Sequence, residues 1–185
     1  CGHCCRAYSG NFNYIDMRKD IFDIAKEVFD LATISEMVIA SAESCTGGML
    51  SSTITEIPGS SAIFDCGFVT YSNVSKMTLL SVNENTLKKF GAVSEEVAAE
   101  MAIGALKNSK ANIAISVTGI AGPGGSTTKP EGMVCFSIAI NNELKLTETK
   151  NWGPLGRDRI RQTATLHGLQ LLSRTLNEKT KLRRN

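Results

Sequence analysis

The chain has 185 residues, 42% hydrophobic and 21% charged, which is typical of one globular domain with a substantial core. Its net charge of +2 is too small to indicate nucleic acid as the main partner. No apolar run approaches the roughly 20 residues needed to cross a membrane, and no signal peptide is visible, so we expect a cytoplasmic protein without a membrane partner.

The two ends of the chain carry no clear helical or strand period. We expect residues 1–17 to be a disordered leader, residues 18–178 to form the domain, and residues 179–185 to be a basic tail. Three of the six cysteines lie within the first five residues, a distribution that does not form a disulfide framework. No second pair of ligands follows them at zinc-finger spacing, so we predict no metal site.

Between these ends, helical and strand patterns alternate. In chain order they predict a helix over 18–35, a strand over 37–42, a helix over 46–57, a strand over 63–71, a helix around Lys76, a helix over 94–108, a strand over 113–118, strands over 133–140 and 144–150, and a helix over 157–176. The pair Asn141-Asn142 is a hairpin signal between the last two strands. This order predicts an α/β fold, a three-layer α/β/α domain with a mixed, mostly parallel sheet.

The first predicted strand leads to Ser44 and a glycine-rich turn, at the edge of the sheet where α/β proteins bind ligands. We expect the helix after it to begin at Thr46, so that the amides of Cys45, Thr46 and Gly47 are unpaired and can stabilise an oxyanion or a phosphate. The alternative is a structural serine that caps the helix, with glycines that allow close packing.

The neighbour of Ser44, Cys45, is a rival nucleophile, but a reactive cysteine is usually paired with a histidine base. The only histidines are His3, in the leader, and His167, within the last helix and expected to be a core or boundary residue. A Ser-His-Asp triad is disfavoured for the same reason. A lysine of lowered pKa is the remaining candidate for the base, although spacing alone does not choose one.

A second strand ends at Thr118 and a glycine-rich loop, residues 119–125. Its backbone amides can cradle a phosphate, although the loop lacks the Lys-Ser/Thr ending of a P-loop, and a generic Gly-Pro turn is the alternative. An arginine within residues 156–161, at the start of the last helix, can bind phosphate through two hydrogen bonds; a solvated cationic patch is the alternative here.

Several longer stretches, in this order, resemble one family. They are Ala-Glu-Ser-Cys-Thr-Gly-Gly at 42–48, Pro-Gly-Ser-Ser at 58–61, Gly-Phe-Val-Thr-Tyr-Ser-Asn at 67–73 with Lys76, Gly-Ala-Val-Ser at 91–94, and Val-Thr-Gly-Ile-Ala-Gly-Pro at 117–123 with Lys-Pro at 129–130 and Gly132. Over about residues 20–176 the chain is similar to the C-terminal domain of the competence-damage-inducible protein CinA, the nicotinamide-nucleotide amidase family, in its stand-alone form.

The resemblance implies Ser44 as nucleophile and Lys76 as its base, with Tyr71 and Thr118 in the site. It also implies an arginine, for which Arg157 fits best and Arg159 is the alternative. The residues expected to bind substrate are Thr46, Gly47, Thr118, Gly119, Gly122 and Arg157.

The resemblance further implies hydrolysis of the carboxamide of nicotinamide mononucleotide to nicotinate mononucleotide and ammonia. On this reading the only partner is a small-molecule nucleotide substrate, no cofactor takes part, and the chain forms a homo-oligomer. The alternative is a non-catalytic nucleotide-binding module linked to competence or DNA damage, which would not need Ser44 and Lys76 in register.

Overall fold

The computed structural model describes residues 14–184. Its helices are α1 (Tyr14–Ser35), α2 (Met49–Thr55), α3 (Asn73–Leu80), α4 (Glu84–Phe90), α5 (Glu95–Lys107) and α6 (Arg157–Arg184), with a short 3₁₀ helix at Ser60–Ala62. Its strands are β1 (Ile39–Glu43), β2 (Phe64–Val69), β3 (Ile113–Gly119), β4 (Met133–Ile140) and β5 (Glu143–Asn151). None of these helices is long and apolar enough to cross a membrane.

The strands form one sheet in the order β2-β1-β3-β4-β5. Strand β1 pairs in parallel with β2 and β3, whereas β4 is antiparallel to both β3 and β5, so four of the five strands run in one direction. This confirms the predicted mixed sheet. The hairpin between β4 and β5 turns at Asn141 and Asn142, whose φ angles of 50° and 64° are the left-handed values that a two-residue hairpin requires.

Helices cover both faces of the sheet. One core lies between the sheet and α1, α2 and α6, and Ile113, Ile115 and Val117 of β3 point into it. The other core lies against α3, α4 and α5, where the sheet contributes small side chains such as Ala40 and Ala114. The central strands are buried on both faces, which explains why β1 and β3 appear in the sequence as continuous runs of buried residues rather than alternating ones. The predicted α/β/α layering is therefore confirmed.

The first and the last helix extend further than predicted. Helix α1 begins at Tyr14 rather than at 18, and the remainder of the predicted leader, residues 1–13, lies outside the described residues. Helix α6 continues to Arg184 rather than ending at Leu176, so the predicted basic tail is largely helical. The apolar period fades after Leu176, but the Lys, Arg and Glu residues that follow are good helix formers and no glycine or proline stops them.

Helix α4 was missing from the sequence prediction. It is only seven residues long, too short for a clear apolar period. Its signals are local ones: the Asn83 side chain accepts a hydrogen bond from the Asn85 amide at 2.8 Å, and Gly91 ends the helix with a φ of 77°. The helix matters for the site because the segment after it supplies Ala92 and Val93 to the wall of a cavity.

Candidate active site

Three parallel strands deliver the candidate residues to one edge of the sheet. Glu43, the last residue of β1, is paired with Val69 of β2 on one side and with Val117 of β3 on the other. The next residue of each strand is therefore level with the other two, and these residues are Ser44, Thr70 and Thr118. The sheet register itself brings the two sequence-predicted loops together.

Lys76 meets Ser44 at this edge. Its Nζ atom lies 3.1 Å from Ser44 Oγ and donates to the carbonyl oxygen of Thr70 at 2.7 Å. The side chain is only 1% exposed, although it begins on the short helix α3, which is fixed at its start by a capping box between Ser72 and Ser75. The predicted nucleophile and base are thus within hydrogen-bonding distance.

Burial gives Lys76 the protonation behaviour that a base requires. It lowers the pKa of the lysine from 10.5 to about 8, and the nearby Cys45 thiol opposes this shift. A lysine with a pKa near 8 has an accessible neutral form close to physiological pH, and the neutral amine can accept the proton of the Ser44 hydroxyl.

Cys45 is poorly suited to be the nucleophile. Its side chain is buried, and burial raises the pKa of the thiol to about 12; the Glu43 carboxylate raises the pKa further, while the amides of Cys45 and Thr46 lower it. A thiol with this pKa contains almost no thiolate, the reactive form, at neutral pH.

His167 does not line the cavity. It pairs closely with the Glu148 carboxylate and packs edge-on against Phe136, with 5.0 Å between ring centroids. This agrees with the boundary role expected from the sequence. The other histidine, His3, lies outside the described residues.

The start of α2 differs from the prediction in a way that changes the oxyanion argument. The helix begins at Met49 rather than at Thr46, because Gly47 and Gly48 have left-handed φ angles of 61° and 91° and form a turn. Within this turn the Gly47 amide donates to the carbonyl of Ser44 at 3.1 Å. The predicted use of the Gly47 amide as a free donor is therefore wrong.

Thr46 and Gly47 do not line the cavity, so the structure does not place these two predicted substrate-binding residues at its wall. The amides of Cys45 and Thr46, by contrast, have no oxygen acceptor among residues 14–184. Both interact with the Cys45 sulfur, and Cys45 lines the cavity next to Ser44. They are the candidate oxyanion donors.

The glycine-rich loop after β3 forms the opposite wall, to which Thr118, Gly119 and Gly122 all contribute. The Thr118 hydroxyl donates to the carbonyl of Ala92 at 2.7 Å, which leaves its oxygen lone pairs as acceptors. Gly122 has a left-handed φ of 83°, which favours glycine, and a Cβ atom there would lie 2.4 Å from the Glu131 carboxyl carbon.

The same Glu131 occupies part of the predicted phosphate cradle. Its carboxylate accepts a hydrogen bond from the Gly124 amide at 2.6 Å. A phosphate cannot use that amide while the carboxylate holds it, and the two anions repel each other. The loop is therefore a less complete anion site than the glycine pattern alone indicates.

Arg157 is the arginine at the cavity mouth, and Arg159 does not line the cavity. Its guanidinium donates to the Gly122 carbonyl at 2.9 Å and to the Tyr71 hydroxyl at 2.7 Å. Arg157 thereby connects the start of α6 to the glycine-rich loop and to the segment after β2. Tyr71 is 61% exposed, so this end of the site is open to solvent.

These residues surround a cavity of about 320 Å³, within the size range of small-molecule sites. It is lined by Ser44, Cys45, Tyr71, Asn73, Lys76, Ala92, Val93, residues 118–124 and Arg157. In residues 14–184 no three His, Cys, Asp or Glu side chains are arranged to hold a metal ion. The N-terminal cysteines lie outside that range.

Sequence reasoning missed three residues of this region. Asn73 lines the cavity beside Lys76. Arg161 donates to the carbonyl of Thr46 at 2.8 Å, and Glu43 accepts hydrogen bonds from the start of α2. Arg161 lies one helical turn after Arg157, a spacing that places both on the same side of α6 and was the available signal.

The comparisons with known proteins identify relatives over most of the chain. The model of the CinA C-terminal domain matches residues 21–176. The nicotinamide-nucleotide amidohydrolase PncC of Escherichia coli K12 is 44% identical over 154 residues, which cover 83% of this chain and 93% of the relative. A protein of Caldicellulosiruptor saccharolyticus, named for competence-damage induction, is 51% identical over 139 residues, which cover 75% of this chain and 33% of the relative.

The chain thus spans about a third of the length of the longer relatives it matches. Among solved structures, the competence/damage inducible protein CihA from Agrobacterium tumefaciens is 44% identical, with a TM-score of 0.81, over 85% of this chain and 96% of that one. A CinA superfamily protein from Klebsiella pneumoniae is 29% identical, with a TM-score of 0.82, over 85% of this chain and 98% of that one.

Proposed function

The chain belongs to the CinA C-terminal domain family, and from this premise we propose that it is an amidohydrolase that converts nicotinamide mononucleotide to nicotinate mononucleotide and ammonia. The observation that carries the proposal is the buried Lys76 amine, 3.1 Å from the Ser44 hydroxyl at the wall of a cavity. The amidase name comes from relatives such as PncC, whose length the chain covers almost completely.

The first half of the reaction forms an acyl-enzyme. Neutral Lys76 takes the proton of Ser44 as its oxygen attacks the carboxamide carbon. The resulting oxyanion accepts hydrogen bonds from the amides of Cys45 and Thr46. Lys76 then gives its proton to the amide nitrogen, the C–N bond breaks and ammonia leaves.

The second half releases the acid product. Lys76, neutral again after protonating the leaving group, takes a proton from a water molecule that attacks the acyl carbon. The same two amides stabilise the second tetrahedral intermediate. The carbon–oxygen bond to Ser44 breaks, Ser44 regains its proton from Lys76, and the carboxylate departs.

The nucleotide part of the substrate is anchored at the other end of the cavity. Arg157 is exposed at the mouth, and its planar guanidinium suits a phosphate. The Glu131 carboxylate held on the Gly124 amide disfavours a phosphate deep in the glycine-rich loop. We therefore assign the phosphate to the side of Arg157 and Tyr71, with the nicotinamide ring directed toward Ser44.

A non-catalytic nucleotide-binding module is the alternative. Such a module gains nothing from a buried lysine aligned with a serine, yet carries the cost of burying it. The fall in the Lys76 pKa from 10.5 to about 8 corresponds to about 3 kcal/mol when the amine is charged. This cost in folding free energy favours a catalytic role for Lys76.

A substrate panel tests the proposal. Ammonia release is measured with nicotinamide mononucleotide, nicotinamide riboside and nicotinamide, which share the carboxamide and differ in the phosphate and ribose. We expect turnover of the mononucleotide, a much higher KM without the phosphate, and little turnover of the free base. Absence of ammonia from the mononucleotide would reject this substrate. Homo-oligomer formation and a cytoplasmic location remain predictions.

A further inference from the structure

Glu43 precedes the nucleophile and is fully buried, with no exposed surface. Its Oε2 accepts hydrogen bonds from the amides of Gly48 at 3.0 Å and Leu50 at 3.1 Å. Its Oε1 accepts from the Ser51 amide at 2.8 Å and from the Ser51 hydroxyl at 2.5 Å, with the Ser41 hydroxyl at 3.3 Å. Every one of these partners is a donor, which suits a group that only accepts.

These contacts decide which amides around Ser44 are free. The Ser44 amide donates to Val117, the Gly47 amide to Ser44, and the Met49 amide to Thr46. Glu43 takes the amides of residues 48, 50 and 51, and residue 52 donates to residue 48. Among the amides of residues 44–52, those of residues 45 and 46 are left without an oxygen acceptor.

A second group holds the same turn from the opposite side. Arg161 of α6 donates to the carbonyl oxygen of Thr46 at 2.8 Å. A Cβ atom on Gly47 would lie only 3.4 Å from the same guanidinium, so the arginine packs directly on the turn. Glu43 therefore fixes the turn after Ser44 through backbone N–H groups at the start of α2, and Arg161 fixes it through the Thr46 carbonyl.

We propose that Glu43 is a positioning residue for Ser44 and the two oxyanion donors: its carboxylate anchors the start of α2 and so fixes the turn in which the amides of Cys45 and Thr46 face the reacting carbon. The proposal rests on the proposed function for the role of Ser44 as nucleophile, and not for the identity of the substrate. Glu43 does not line the cavity, and it acts through the turn that it holds.

Glu43→Gln is the most informative substitution because it keeps the size of the side chain. Gln carries one oxygen and one NH₂ group, and both carboxylate oxygens of Glu43 currently accept backbone N–H groups. In either orientation of the Gln amide, its NH₂ group faces at least one backbone N–H. Both groups are donors, so no hydrogen bond can form between them. The turn must therefore shift, whereas Ser44, Lys76 and Arg157 keep their chemical identities.

Glu100→Gln is the matched control. Glu100 also accepts one backbone amide, that of Asn83 at 2.7 Å, and one hydroxyl, that of Thr86 at 2.6 Å. It fixes the start of α4 and does not line the cavity around Ser44. A general effect of weakening a carboxylate that fixes the start of a helix would appear in both variants, whereas a loss of nucleophile positioning would appear only in Glu43→Gln.

The experiment measures the reactivity of Ser44 independently of the substrate. A fluorophosphonate probe forms a P–O bond to the serine oxygen and releases fluoride, and peptide mapping locates the adduct. We expect Glu43→Gln to be labelled about 100-fold more slowly than wild type, a loss similar to that of one oxyanion donor, and Glu100→Gln to stay within about threefold. With nicotinamide mononucleotide, Glu43→Gln should lower kcat by a similar factor and change KM by less than about threefold.

Folded Glu43→Gln protein that is labelled at the wild-type rate overturns the proposal. An equal fall in the labelling rate of Glu100→Gln also overturns it. If Glu43→Gln does not fold, Ser51→Ala decides: labelling at least about threefold slower supports the proposal, and an unchanged rate overturns it. Wild-type protein that is labelled at Ser44 but releases no ammonia from the mononucleotide rejects the substrate and leaves this test intact. Wild-type protein that is not labelled at Ser44 overturns both.

Discussion

Replacement of Lys76 by methionine should remove the pH dependence of stability that the buried lysine produces. In the folded protein burial lowers the Lys76 pKa to about 8, compared with 10.5 in an exposed chain. Below pH 8 both states are protonated, and the folded state carries the full cost of a buried ammonium group. Between pH 8 and 10.5 the unfolded state binds more protons, so the free energy of unfolding rises with pH.

The size of this rise follows from the difference in pKa. A difference of about 2.5 corresponds to about 3 kcal/mol, gained gradually between pH 7 and pH 10.5. Methionine has a similar length and does not titrate. It also leaves the Thr70 carbonyl without its 2.7 Å hydrogen bond, but that loss is a constant offset at every pH.

The assay is urea unfolding of the wild type and of Lys76→Met from pH 6 to 10.5. Subtraction of the two free energies of unfolding at each pH removes the contribution of shared groups that do not interact with Lys76. Cys45 does interact with it, but the pKa of that thiol is about 12, so it stays protonated in the folded protein below pH 10.5. As the pH rises from 7 to 10.5, we expect the free energy of unfolding of the wild type to increase by about 3 kcal/mol relative to that of the variant. A difference that stays constant over this range would refute the lowered pKa and with it the neutral amine that the mechanism requires.

Three further substitutions separate the roles of the residues around the cavity. Lys76→Arg keeps the positive charge but cannot act as a base, because arginine stays protonated. The rate of ammonia release should fall by about 10³-fold or more, while calorimetry still detects substrate binding. Substantial turnover by this variant would indicate that Lys76 binds the phosphate as a cation. Arg157→Met should raise KM about tenfold or more with little change in kcat. The control Arg159→Met should leave KM and kcat within about twofold of wild type. Equal effects of the two substitutions would show that Arg157 does not bind the substrate. Cys45→Ala should keep kcat within about threefold, since its thiol with a pKa of about 12 is not a nucleophile; inactivation of a folded variant would reinstate it.

The parts of the site that could be predicted from the sequence are those that depend on strand ends. The buried runs of β1 and β3 identify the strands, and parallel neighbours bring their carboxyl ends to one edge of the sheet. The sequence alone therefore predicts that Ser44 and Thr118 lie at the same edge of the sheet. Lys76 was chosen through the family resemblance, because spacing along the chain does not indicate which lysine points back into the core.

The parts that could not be predicted depend on which hydrogen-bond partner a group finds. The sequence predicts free amides at residues 45–47, but not that the Gly47 amide bonds to Ser44 within the turn or that Glu43 binds the amides of residues 48, 50 and 51. It likewise predicts a glycine-rich loop after β3, but not that Glu131 holds the Gly124 amide. In both places a carboxylate of the chain itself binds backbone amides next to the site, and at Gly124 it takes a donor expected to bind a phosphate.

The boundary of α2 has a similar origin. Gly47 and Gly48 are compatible with a helix start in the sequence, and only their left-handed φ angles separate a turn from a first helical residue. The choice between Arg157 and Arg159 also required the structure, because the two-residue step between them rotates the side chain by about 200° around the axis of α6. Arg157 contacts Tyr71 and Gly122 and is the arginine at the mouth.

The most direct test of the account is ammonia release from nicotinamide mononucleotide by the wild type and by Ser44→Ala, with the fold of both checked by circular dichroism. Ser44 is the only group placed to attack the carboxamide within hydrogen-bonding distance of Lys76 among residues 14–184. We predict equal amounts of ammonia and nicotinate mononucleotide from the wild type and a loss of at least about 10³-fold in the variant. A folded Ser44→Ala protein that retains more than a few per cent of the wild-type rate would contradict nucleophilic attack by Ser44.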